Sequence, residues 1–481
     1  GRLLAFTKGA PESVLPLCTR QQGSSTPAEL TVDGRKKVLA QSQAFAQQAY
    51  RVLAVAMREV ERGVEQLEAD TVEQGLTFLG LVAMMDPPHR EVPDAIKKCR
   101  RAGVRVMMIT GDHPLTALAV ARKIGLAPET IPTEPGHFVP VIEGAHIDTF
   151  SDDQLRQLLT PTTPGEPDPI FARMAPRHKM RIVSALKKMR EVVAVTGDGV
   201  NDAPALKTAD IGIAMGIAGT DVAKETASMI LLDDNFATIV HAIEEGRAVY
   251  TNIRKFVTYV LASNVPEIVP YLGFGLSSMP LALTIPQILA VDLGTDMVPA
   301  LALAAEPPEG GVMDDPPRPR TERLLSWDVI LRAYAFLGLI EAGIAMGGFF
   351  LYLYSQGWSW AAPLDWTSPL YKEATTVTFA GIVAAQVANV FACRSDRISA
   401  FRLGWFSNPL ILVGVAVELT ILLVMTYSPV GHLVLGTASL PAWIFGPLAL
   451  GAIGLLLADE LQKFVRGRMG ARLSLQPGRG T

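Results

Sequence analysis

The sequence predicts an α/β domain built on a parallel sheet, followed by a bundle of six transmembrane helices. Hydrophobic residues make up 49% of the 481 residues, which is high for a wholly soluble protein. These residues are unevenly distributed. Up to Lys255, charged and apolar residues mix and predicted strands alternate with predicted helices, whereas long apolar stretches dominate beyond it. We therefore expect a soluble half and a membrane half.

Six stretches of the second half are long enough to cross the hydrocarbon core of a bilayer. They are Phe256–Leu276, Leu281–Ala304, Val329–Tyr354, Ala374–Ala392, Leu410–Tyr427 and Ala442–Ala458. Lysine and arginine concentrate in alternate connections, at 254–255, 318–323, 394–402 and 463–468. This bias places the soluble half on the cytoplasmic side of a lipid bilayer, and a plasma membrane is the expected location. The net charge of −4 gives no sign of a nucleic-acid partner.

In the soluble half, strands and helices alternate from Phe78 onwards. The pattern predicts strands at Phe78–Met84, Arg105–Ile109 and Val192–Val195, with helices over 95–102 and 116–124 after the first two. The second and third strands each run into Thr-Gly-Asp. Because parallel strands present ligand-binding groups at their carboxyl ends, we expect both loops at one phosphate-binding edge.

The second of these loops carries the most specific signal in the chain. It reads Thr-Gly-Asp-Gly-Val-Asn-Asp at 196–202, and Asp198 and Asp202 offer hard oxygen ligands of the kind that Mg²⁺ prefers. Followed by Ala-Pro-Ala-Leu at 203–206, the segment resembles the hinge motif of the P-type cation-transporting ATPases. The resemblance implies a haloacid-dehalogenase-like (Rossmann-like) phosphorylation domain, ATP and Mg²⁺ as cofactors, and an aspartyl-phosphate intermediate.

Other segments of the soluble half share the resemblance. Lys8, in Lys-Gly-Ala-Pro-Glu, and Arg51 resemble nucleotide-contacting residues, and the segment at 171–179 resembles the one that carries a phosphate-binding lysine. A solvated turn lysine at position 8 and a helix-surface lysine at position 179 remain the alternatives. The resemblance assigns catalytic roles to Thr110, Gly111, Asp112, Lys179, Asp198 and Asp202. It assigns nucleotide contacts to Lys8, Arg51, Arg173 and Asn201.

One expected motif is missing. The family forms its phosphoenzyme on the aspartate of Asp-Lys-Thr-Gly, and these four residues occur nowhere in the 481. We therefore expect a part of a longer pump, with the N-terminal remainder as a partner, and predict that this fragment alone does not hydrolyse ATP. The predicted domains are the end of a nucleotide-binding domain (1–75), a phosphorylation domain lacking its first strand (76–250), a cation-transport domain (251–465) and a cytoplasmic tail (466–481).

Carboxylates within the predicted spans point to a cation site. Each ionisable residue at the centre of a bilayer costs about 2.5–3.5 kcal/mol on insertion scales, so its presence calls for a function. Glu267 shares a helix face with Ser263, and Asp292 shares one with Asp296, because residues four apart project from the same side. Prolines in both segments free backbone carbonyls as further oxygen ligands. Polar residues that merely join helices are the alternative.

Both segments resemble the fifth and sixth membrane helices of sodium/potassium and proton/potassium pumps. The resemblance assigns the transported cation to Ser263, Asn264, Glu267, Asp292, Thr295, Asp296, Gln386 and Glu418. Pro266 and Asp292 favour Na⁺, K⁺ or H⁺, because calcium pumps of the reticulum type generally have Gly and Asn at these positions. The same oxygen ligands also suit Ca²⁺.

Three further expectations complete the sequence-based interpretation. The loop at 355–372 lacks the signature with which sodium pumps bind an accessory subunit, so no such subunit is expected. Glu341 is interpreted as a helix-contact residue outside the site. Two other functions remain open: a lipid-translocating P-type ATPase, and a membrane-tethered phosphatase or catalytically silent interaction protein.

Overall fold

The computed structural model describes most of the chain. The described residues are 3–23, 26–48, 50–60, 72–85, 87–128, 140–161, 167–360 and 362–474. The chain forms two compact units. The first, called the α/β unit, comprises Gly1–Ala242 with Met313–Pro317, and the second, called the helical unit, comprises Ile243–Val312 with Arg318–Thr481. Of the predicted tail, residues 475–481 lie outside the described residues.

A five-stranded sheet begins the α/β unit. Its strands are β1 (Leu3–Gly9), β2 (Cys18–Gln21), β3 (Ala28–Glu29), β4 (Arg51–Val60) and β5 (Leu76–Met84). Their order is β1-β4-β5-β2-β3, and only β2 and β5 pair in parallel. The strand predicted at Phe78–Met84 is confirmed as β5. Strand β5 pairs with β2 and β4 of this sheet. The domain limit predicted between residues 75 and 76 instead groups β5 with the segment that follows, and the predicted domain limits stay a prediction.

Two smaller parallel sheets follow. One contains β6 (Val141–Glu143) and β7 (Ile170–Ala172), and the other contains β8 (Ala194–Gly197), β9 (Ile211–Met215) and β10 (Met229–Leu231) in the order β10-β9-β8. All of these pairs are parallel, as predicted. Phe171 of β7 and Val195 of β8 belong to one hydrophobic cluster, so the two sheets share a core.

Two predicted strands differ in the structure. The segment 105–109 forms only a single bridge, from Ile109 to Phe171, because its backbone pairing with β7 is limited to the two hydrogen bonds that flank Ile109: the Phe171 amide donates to the Met108 carbonyl at 2.9 Å, and the Thr110 amide donates to the Phe171 carbonyl at 2.8 Å. The strand predicted at Val192–Val195 begins at Ala194 instead. The reason is that the Val193 amide donates a hydrogen bond to the Asp210 carboxylate at 2.9 Å rather than to a neighbouring strand.

Helices cover these sheets. They are α1 (Pro11–Val14), α2 (Val32–Gln47), α3 (Val92–Arg101), α4 (Pro114–Lys123), α5 (Gly144–Thr149), α6 (Asp152–Leu159), α7 (Pro176–Lys188), α8 (Ala203–Thr208) and α9 (Asp221–Thr226). The two helices predicted at 95–102 and 116–124 are confirmed as α3 and α4. Helix α7 begins with Pro176, whose missing N–H costs nothing in a first turn, and it buries Ile182 and Val183 in the shared core.

The helical unit contains the remaining helices. They are α10 (Phe236–Ser263), α11 (Val265–Leu276), α12 (Ile285–Ala290), α13 (Met297–Ala304), α14 (Trp327–Ile330), α15 (Leu339–Ser355), α16 (Pro369–Ala392), α17 (Ala400–Leu403), α18 (Pro409–Tyr427), α19 (Pro429–Val434) and α20 (Phe445–Ser474). Two wide π-helical turns, Val291–Thr295 and Leu331–Gly338, connect α12 to α13 and α14 to α15.

Within the described residues, five helical stretches are long and apolar enough to cross a membrane. They are Ile285–Ala304, Trp327–Ser355, Pro369–Ala392, Pro409–Tyr427 and Ala442–Arg466. The first predicted span, Phe256–Leu276, is not a single helix. Helix α10 ends at Ser263 and α11 begins at Val265, next to Pro266, which lacks the amide hydrogen needed to continue the hydrogen-bond ladder. The structure supports a multi-pass helical unit but not the count of six spans.

Helix α16 lies at the centre of the helical unit, with 89% of its span buried. Small residues allow its neighbours to approach closely. A Cβ added at Gly381 would lie 2.9 Å from the Cα of Ala345 in α15, and one added at Gly414 in α18 would lie 3.1 Å from the Cα of Pro299 in α13. This packing, typical of membrane helices, brings polar side chains of several helices within hydrogen-bonding distance.

Candidate functional site

The first Thr-Gly-Asp loop is fixed by its own hydrogen bonds. The Thr110 hydroxyl donates to the Asp112 carboxylate at 3.0 Å and accepts from the Asp112 amide at 3.1 Å. The backbone amides of Arg173 and Met174 donate to the carbonyls of Asp112 and Thr110, at 2.9 and 3.0 Å. Gly111 faces the Met174 carbonyl. The loop is therefore held against the segment that follows β7.

The second loop is joined to the same segment by an ion pair. Lys179, in the first turn of α7, places its ammonium nitrogen 2.5 Å from the carboxylate of Asp202. Both side chains are mostly buried, with 22% and 10% of their surfaces exposed. Because Lys179 follows β7 and Asp202 follows β8, the ion pair brings the carboxyl ends of these two strands together. Each of the two loops is thus joined to the segment that follows β7.

Close packing in the second loop depends on Gly197. A Cβ at this position would lie 2.4 Å from the Cβ of Asp202, so a larger residue would displace the aspartate. Asp198 is exposed, and its backbone carbonyl accepts a hydrogen bond from the Thr220 amide at 2.8 Å. Asn201 is also exposed. The carboxylate of Asp198 thus faces solvent, whereas that of Asp202 is held by Lys179.

The donor set of this loop fits Mg²⁺. Among the described residues, no three His, Cys, Asp or Glu side chains are arranged as metal ligands. Mg²⁺ does not need such a cage, because it keeps several waters and binds through one or two carboxylates and substrate phosphates. Asp198 supplies an exposed carboxylate, with Asp202 four residues away. These two residues would hold the ion, which would supply charge neutralisation at a phosphate.

A histidine that the sequence analysis gave no role supports Lys179. The Nδ1 atom of His178 accepts a hydrogen bond from the Ala175 amide at 3.2 Å, and its Nε2 atom lies 3.0 Å from the Asp148 carboxylate and 3.2 Å from Nε of Arg177. Desolvation opposes it, but hydrogen bonds from His178 and Arg177 hold the pKa of the Asp148 carboxyl below its ordinary value. This network fixes the first turn of α7, and the adjacent lysine was the only sequence signal for it.

The predicted nucleotide contacts lie on two different surfaces of the α/β unit. In the five-stranded sheet Lys8 pairs with Val55, and Arg51 lies four residues from Val55, so Lys8 and Arg51 project from one face. Both side chains are exposed and separated by about 13 Å along the strands. Arg173, in contrast, lies after β7, with φ of 49° and its guanidinium 3.9 Å from Glu143.

Four predicted residues of the helical unit form one buried hydrogen-bonded network. The Ser263 hydroxyl donates to the Asp296 carboxylate at 2.9 Å. The Gln386 amide donates to both Ser263 and Asp296, at 2.6 and 2.9 Å. The Thr295 hydroxyl donates to the carbonyl oxygen of Gln386 at 3.1 Å. We call Ser263, Thr295, Asp296 and Gln386 the polar network.

The backbone around the polar network is irregular, as the prolines predicted. A π-helical turn precedes Asp296, whose amide donates to the Val291 carbonyl at 3.0 Å, and Pro299 cannot donate to the Thr295 carbonyl. Pro266 likewise cannot donate to the Ala262 carbonyl. Gly338 packs closely against this carbonyl, because a Cβ added at Gly338 would lie 2.9 Å from its oxygen.

The other predicted cation ligands differ in burial. Glu267 is buried, with one carboxylate oxygen that has no hydrogen-bond partner, and it interacts with both Asp292 and Asp296. Asp292 itself is exposed and Asn264 is half-buried. Glu418 is completely buried, and neither of its carboxylate oxygens has a partner. All but Asp292 thus face the interior of the helical unit.

Three buried polar residues near this site were missed as site residues. Tyr259 and Glu341 interact electrostatically with Asp296, and Asn389 lies close to Glu341. The only sequence signal for Tyr259 was its position four residues before Ser263, on the same helix face. Glu341, interpreted from the sequence as a helix contact, is fully buried, and neither of its carboxylate oxygens has a hydrogen-bond partner.

Three family models match the chain. A model of the P-type ATPase cytoplasmic domain N matches residues 1–91, one of haloacid dehalogenase-like hydrolases matches residues 180–243, and one of the cation transporting ATPase C-terminus matches residues 280–465. The matches cover both units and follow the order that the sequence analysis expected.

Individual relatives agree with these models. A sodium/potassium-transporting ATPase subunit alpha of Tetronarce californica is 36% identical over 97% of the chain and 50% of its own length. A calcium-transporting ATPase of Bacillus subtilis is 40% identical over 88% of the chain and 44% of its own length. The chain therefore spans about half the length of the curated relatives that it matches.

Proposed function

The chain belongs to the P-type cation-transporting ATPases and is a multi-pass membrane protein, and from this premise we propose that the full protein uses ATP to move a cation across a membrane. The observation that carries the proposal is the buried polar network, in which one carboxylate and three neutral polar side chains meet inside the helical unit. Helix-joining contacts alone do not call for so many buried oxygens.

The residues at the carboxyl ends of β7 and β8 carry out the chemical step in this proposal. The γ-phosphoryl group of ATP passes to an aspartate of an Asp-Lys-Thr-Gly motif outside these 481 residues, ADP leaves, and water later hydrolyses the aspartyl-phosphate. Lys179 stabilises the negative charge that spreads over the phosphoryl oxygens. Asp202 holds the Lys179 ammonium in position, and Asp198, Thr110 and the neighbouring amides contribute further polar groups.

The nucleotide occupies the five-stranded sheet in this proposal. Lys8 and Arg51 project from one face of that sheet, and their separation along the strands is comparable to the length of a nucleotide. Two positive charges on a surface suit the triphosphate and the ring edges of ATP. This arrangement supports the nucleotide contact over the alternative of a merely solvated turn lysine at position 8.

The cargo is Na⁺, K⁺, H⁺ or Ca²⁺. The polar network, Glu267, Asn264, Asp292 and Glu418 provide the oxygens, and freed carbonyls at the helix breaks add to them. Phosphorylation and cation binding each bias one equilibrium between two access states, so each changes the affinity for the other. We propose a single-subunit pump in a plasma membrane, with its catalytic part on the cytoplasmic side and no accessory subunit.

ATP hydrolysis by the full-length protein in liposomes tests the proposal, with Na⁺, K⁺ and Ca²⁺ titrated separately. We expect one of these ions or a pH change to activate hydrolysis, and Asp296→Asn to weaken that activation at least tenfold. Asp328→Asn, an exposed aspartate in the same unit, is the matched control. Hydrolysis that is indifferent to every ion and to Asp296→Asn would favour lipid translocation or a phosphatase instead.

A further inference from the structure

Glu341 is a fully buried acidic residue for which the proposed function gives no role. It lies near the start of α15, none of its surface is exposed, and neither carboxylate oxygen has a hydrogen-bond partner. An ionised carboxylate in such a place costs several kcal/mol unless a cation compensates it. The residue therefore binds something that neutralises its charge.

The groups that interact with Glu341 come from several helices, and none of those identified among the described residues is basic. They are Tyr259 of α10, Glu267 of α11, Asp296 before α13, Asn389 of α16, Cys393 directly after α16, and Glu418 of α18. Helix α20 faces α15 with apolar residues such as Leu448. Arg332 donates to Asp459 at 2.8 Å, so its charge is already compensated.

Asn389 is oriented as a donor toward this carboxylate. The Cys393 thiol donates to the Asn389 carbonyl oxygen at 3.3 Å, which leaves the Nδ2 group as the free half of the amide. That Nδ2 group is buried and has no hydrogen-bond partner. One amide donor beside an acidic side chain lowers the cost of burial but supplies no positive charge.

A proton satisfies this environment better than a metal ion. A metal cation bound at Glu341 would need several further oxygens that converge on one point. A proton needs one oxygen, and the resulting carboxylic acid gains a donor while its second oxygen can still accept from Asn389. Burial among other acidic groups also disfavours a second negative charge.

We propose that Glu341 is a proton-binding site of the helical unit, separate from the polar network, and that its proton is exchanged during the transport cycle. The first part depends only on the geometry around Glu341. The second part rests on the proposed function, because it requires a pump that alternates between two access states. Glu341 would then release its proton on one side of the membrane and take up another from the opposite side.

Infrared spectroscopy of the purified full-length protein tests the first part without any turnover. Protonated carboxyl groups have a separate C=O stretching band that shifts in D₂O. We expect Glu341→Gln to lose the intensity of one carboxyl group at neutral pH, and Glu341→Asp to keep a shifted band. Glu373→Gln is the matched control, since Glu373 lies in α16 and accepts a hydrogen bond from Tyr352 at 2.9 Å. An undiminished band in Glu341→Gln would overturn the proposal.

Proton flux into liposomes containing the full-length protein tests the second part. With ATP and the activating cation, we expect Glu341→Gln to lose ATP-driven proton movement while cation-stimulated hydrolysis continues, and Glu373→Gln to retain both. Unchanged proton movement in Glu341→Gln would overturn the exchange. Absence of hydrolysis in the unmodified protein would instead contradict the proposed function, and the infrared result would still decide whether Glu341 holds a proton.

Discussion

The two candidate sites treat acidic side chains in opposite ways. At the sheet edge of the α/β unit, Asp198 faces solvent and Asp202 is compensated by Lys179 at 2.5 Å. In the helical unit, Glu341 and Glu418 are buried without hydrogen-bond partners, and Asp296 receives only neutral donors. Charge compensation is therefore built into the first site, whereas in the second it has to come from a bound ion or proton.

This contrast follows from the solvent of each unit. Water and fixed lysines can support carboxylates at a sheet edge, so that edge can be preorganised for phosphate chemistry before any ligand binds. Inside a membrane unit an uncompensated carboxylate raises the free energy of the protein. Binding of a cation or a proton removes this penalty, so the carboxylate binds such an ion more tightly. The difference predicts that mutations at the two sites change different quantities, a rate in one and an ion affinity in the other.

The largest effect is expected from removing the ammonium group of Lys179. In full-length protein, Lys179→Ala should lower the turnover number for ATP by about 100-fold or more, because a positioned charge at the transferring phosphoryl group is lost. The concentration of cation that half-activates hydrolysis should stay the same. Steady-state hydrolysis measures both quantities.

Lys188→Ala is the control for that variant, because Lys188 lies on the same helix and only forms an exposed ion pair with Asp152. It should leave turnover within a factor of two. If Lys179→Ala kept normal turnover, or altered cation affinity as strongly as rate, the division of roles between the units would be wrong.

A glycine substitution should disturb the packing around Asp202 without changing any charge. Gly197→Ala places a Cβ 2.4 Å from the Cβ of Asp202 and should destabilise the α/β unit by about 1–3 kcal/mol. Gly199→Ala is the matched control, since its Cβ would have no neighbour closer than 3.8 Å. Thermal unfolding of the purified chain checks the difference. Equal midpoints for the two variants would contradict the packing described around Asp202.

Within the helical unit a smaller effect on affinity is expected. Ser263→Ala removes one hydrogen bond to Asp296 and one from Gln386, which should weaken cation activation by about 1 kcal/mol, roughly fivefold, with maximal turnover nearly unchanged. Ser277→Ala, at the exposed end of α11, is the control. A loss of turnover without a change in half-activating concentration would argue against a ligand role for the polar network.

The smallest effect concerns pH and the loop beside Asp198. Hydrogen bonds from the backbone amides of Ile217 and Ala218 hold the pKa of the Asp234 carboxyl below its ordinary value of 3.8. Because the folded pKa is depressed, this stabilisation is fully present above pH 4 and is lost as pH falls through the folded pKa.

Asp234→Asn should therefore lower the unfolding midpoint of the α/β unit at pH 7 and have little effect in strong acid. Asparagine tolerates the positive φ of 52° at this position, so backbone strain does not enter the comparison. Asp153→Asn, an exposed aspartate, is the control. A destabilisation that grew at low pH would have the wrong sign for this account.

Sequence reasoning reached the local features of both sites. The Thr-Gly-Asp motifs fixed the loops, and the prolines at 266 and 299 indicated the irregular helices that the structure contains. Contacts between distant segments were beyond it. The bond from Gln386 to Ser263 joins residues 123 apart, and nothing in the local pattern of Glu341 told a packing residue from an unpaired carboxylate.

Hydrogen-bond partners explain the remaining differences. The segment 105–109 has the apolar composition of a strand, but only Ile109 forms a bridge, to Phe171 of β7. Composition likewise marked Phe256–Leu276 as one span, whereas the helix is interrupted where Pro266 removes a backbone donor. In both cases the composition was right and the hydrogen-bond partners decided the outcome.

Equilibrium binding of radiolabelled cations to the full-length protein, without ATP, shows whether a bound ion compensates the buried carboxylates of the helical unit. We expect saturable binding of one cation, or a proton uptake that replaces it, which Asp296→Asn abolishes and Asp328→Asn preserves. Binding that is equal in the unmodified protein and Asp296→Asn would contradict the assignment of charge compensation in the helical unit to a bound ion.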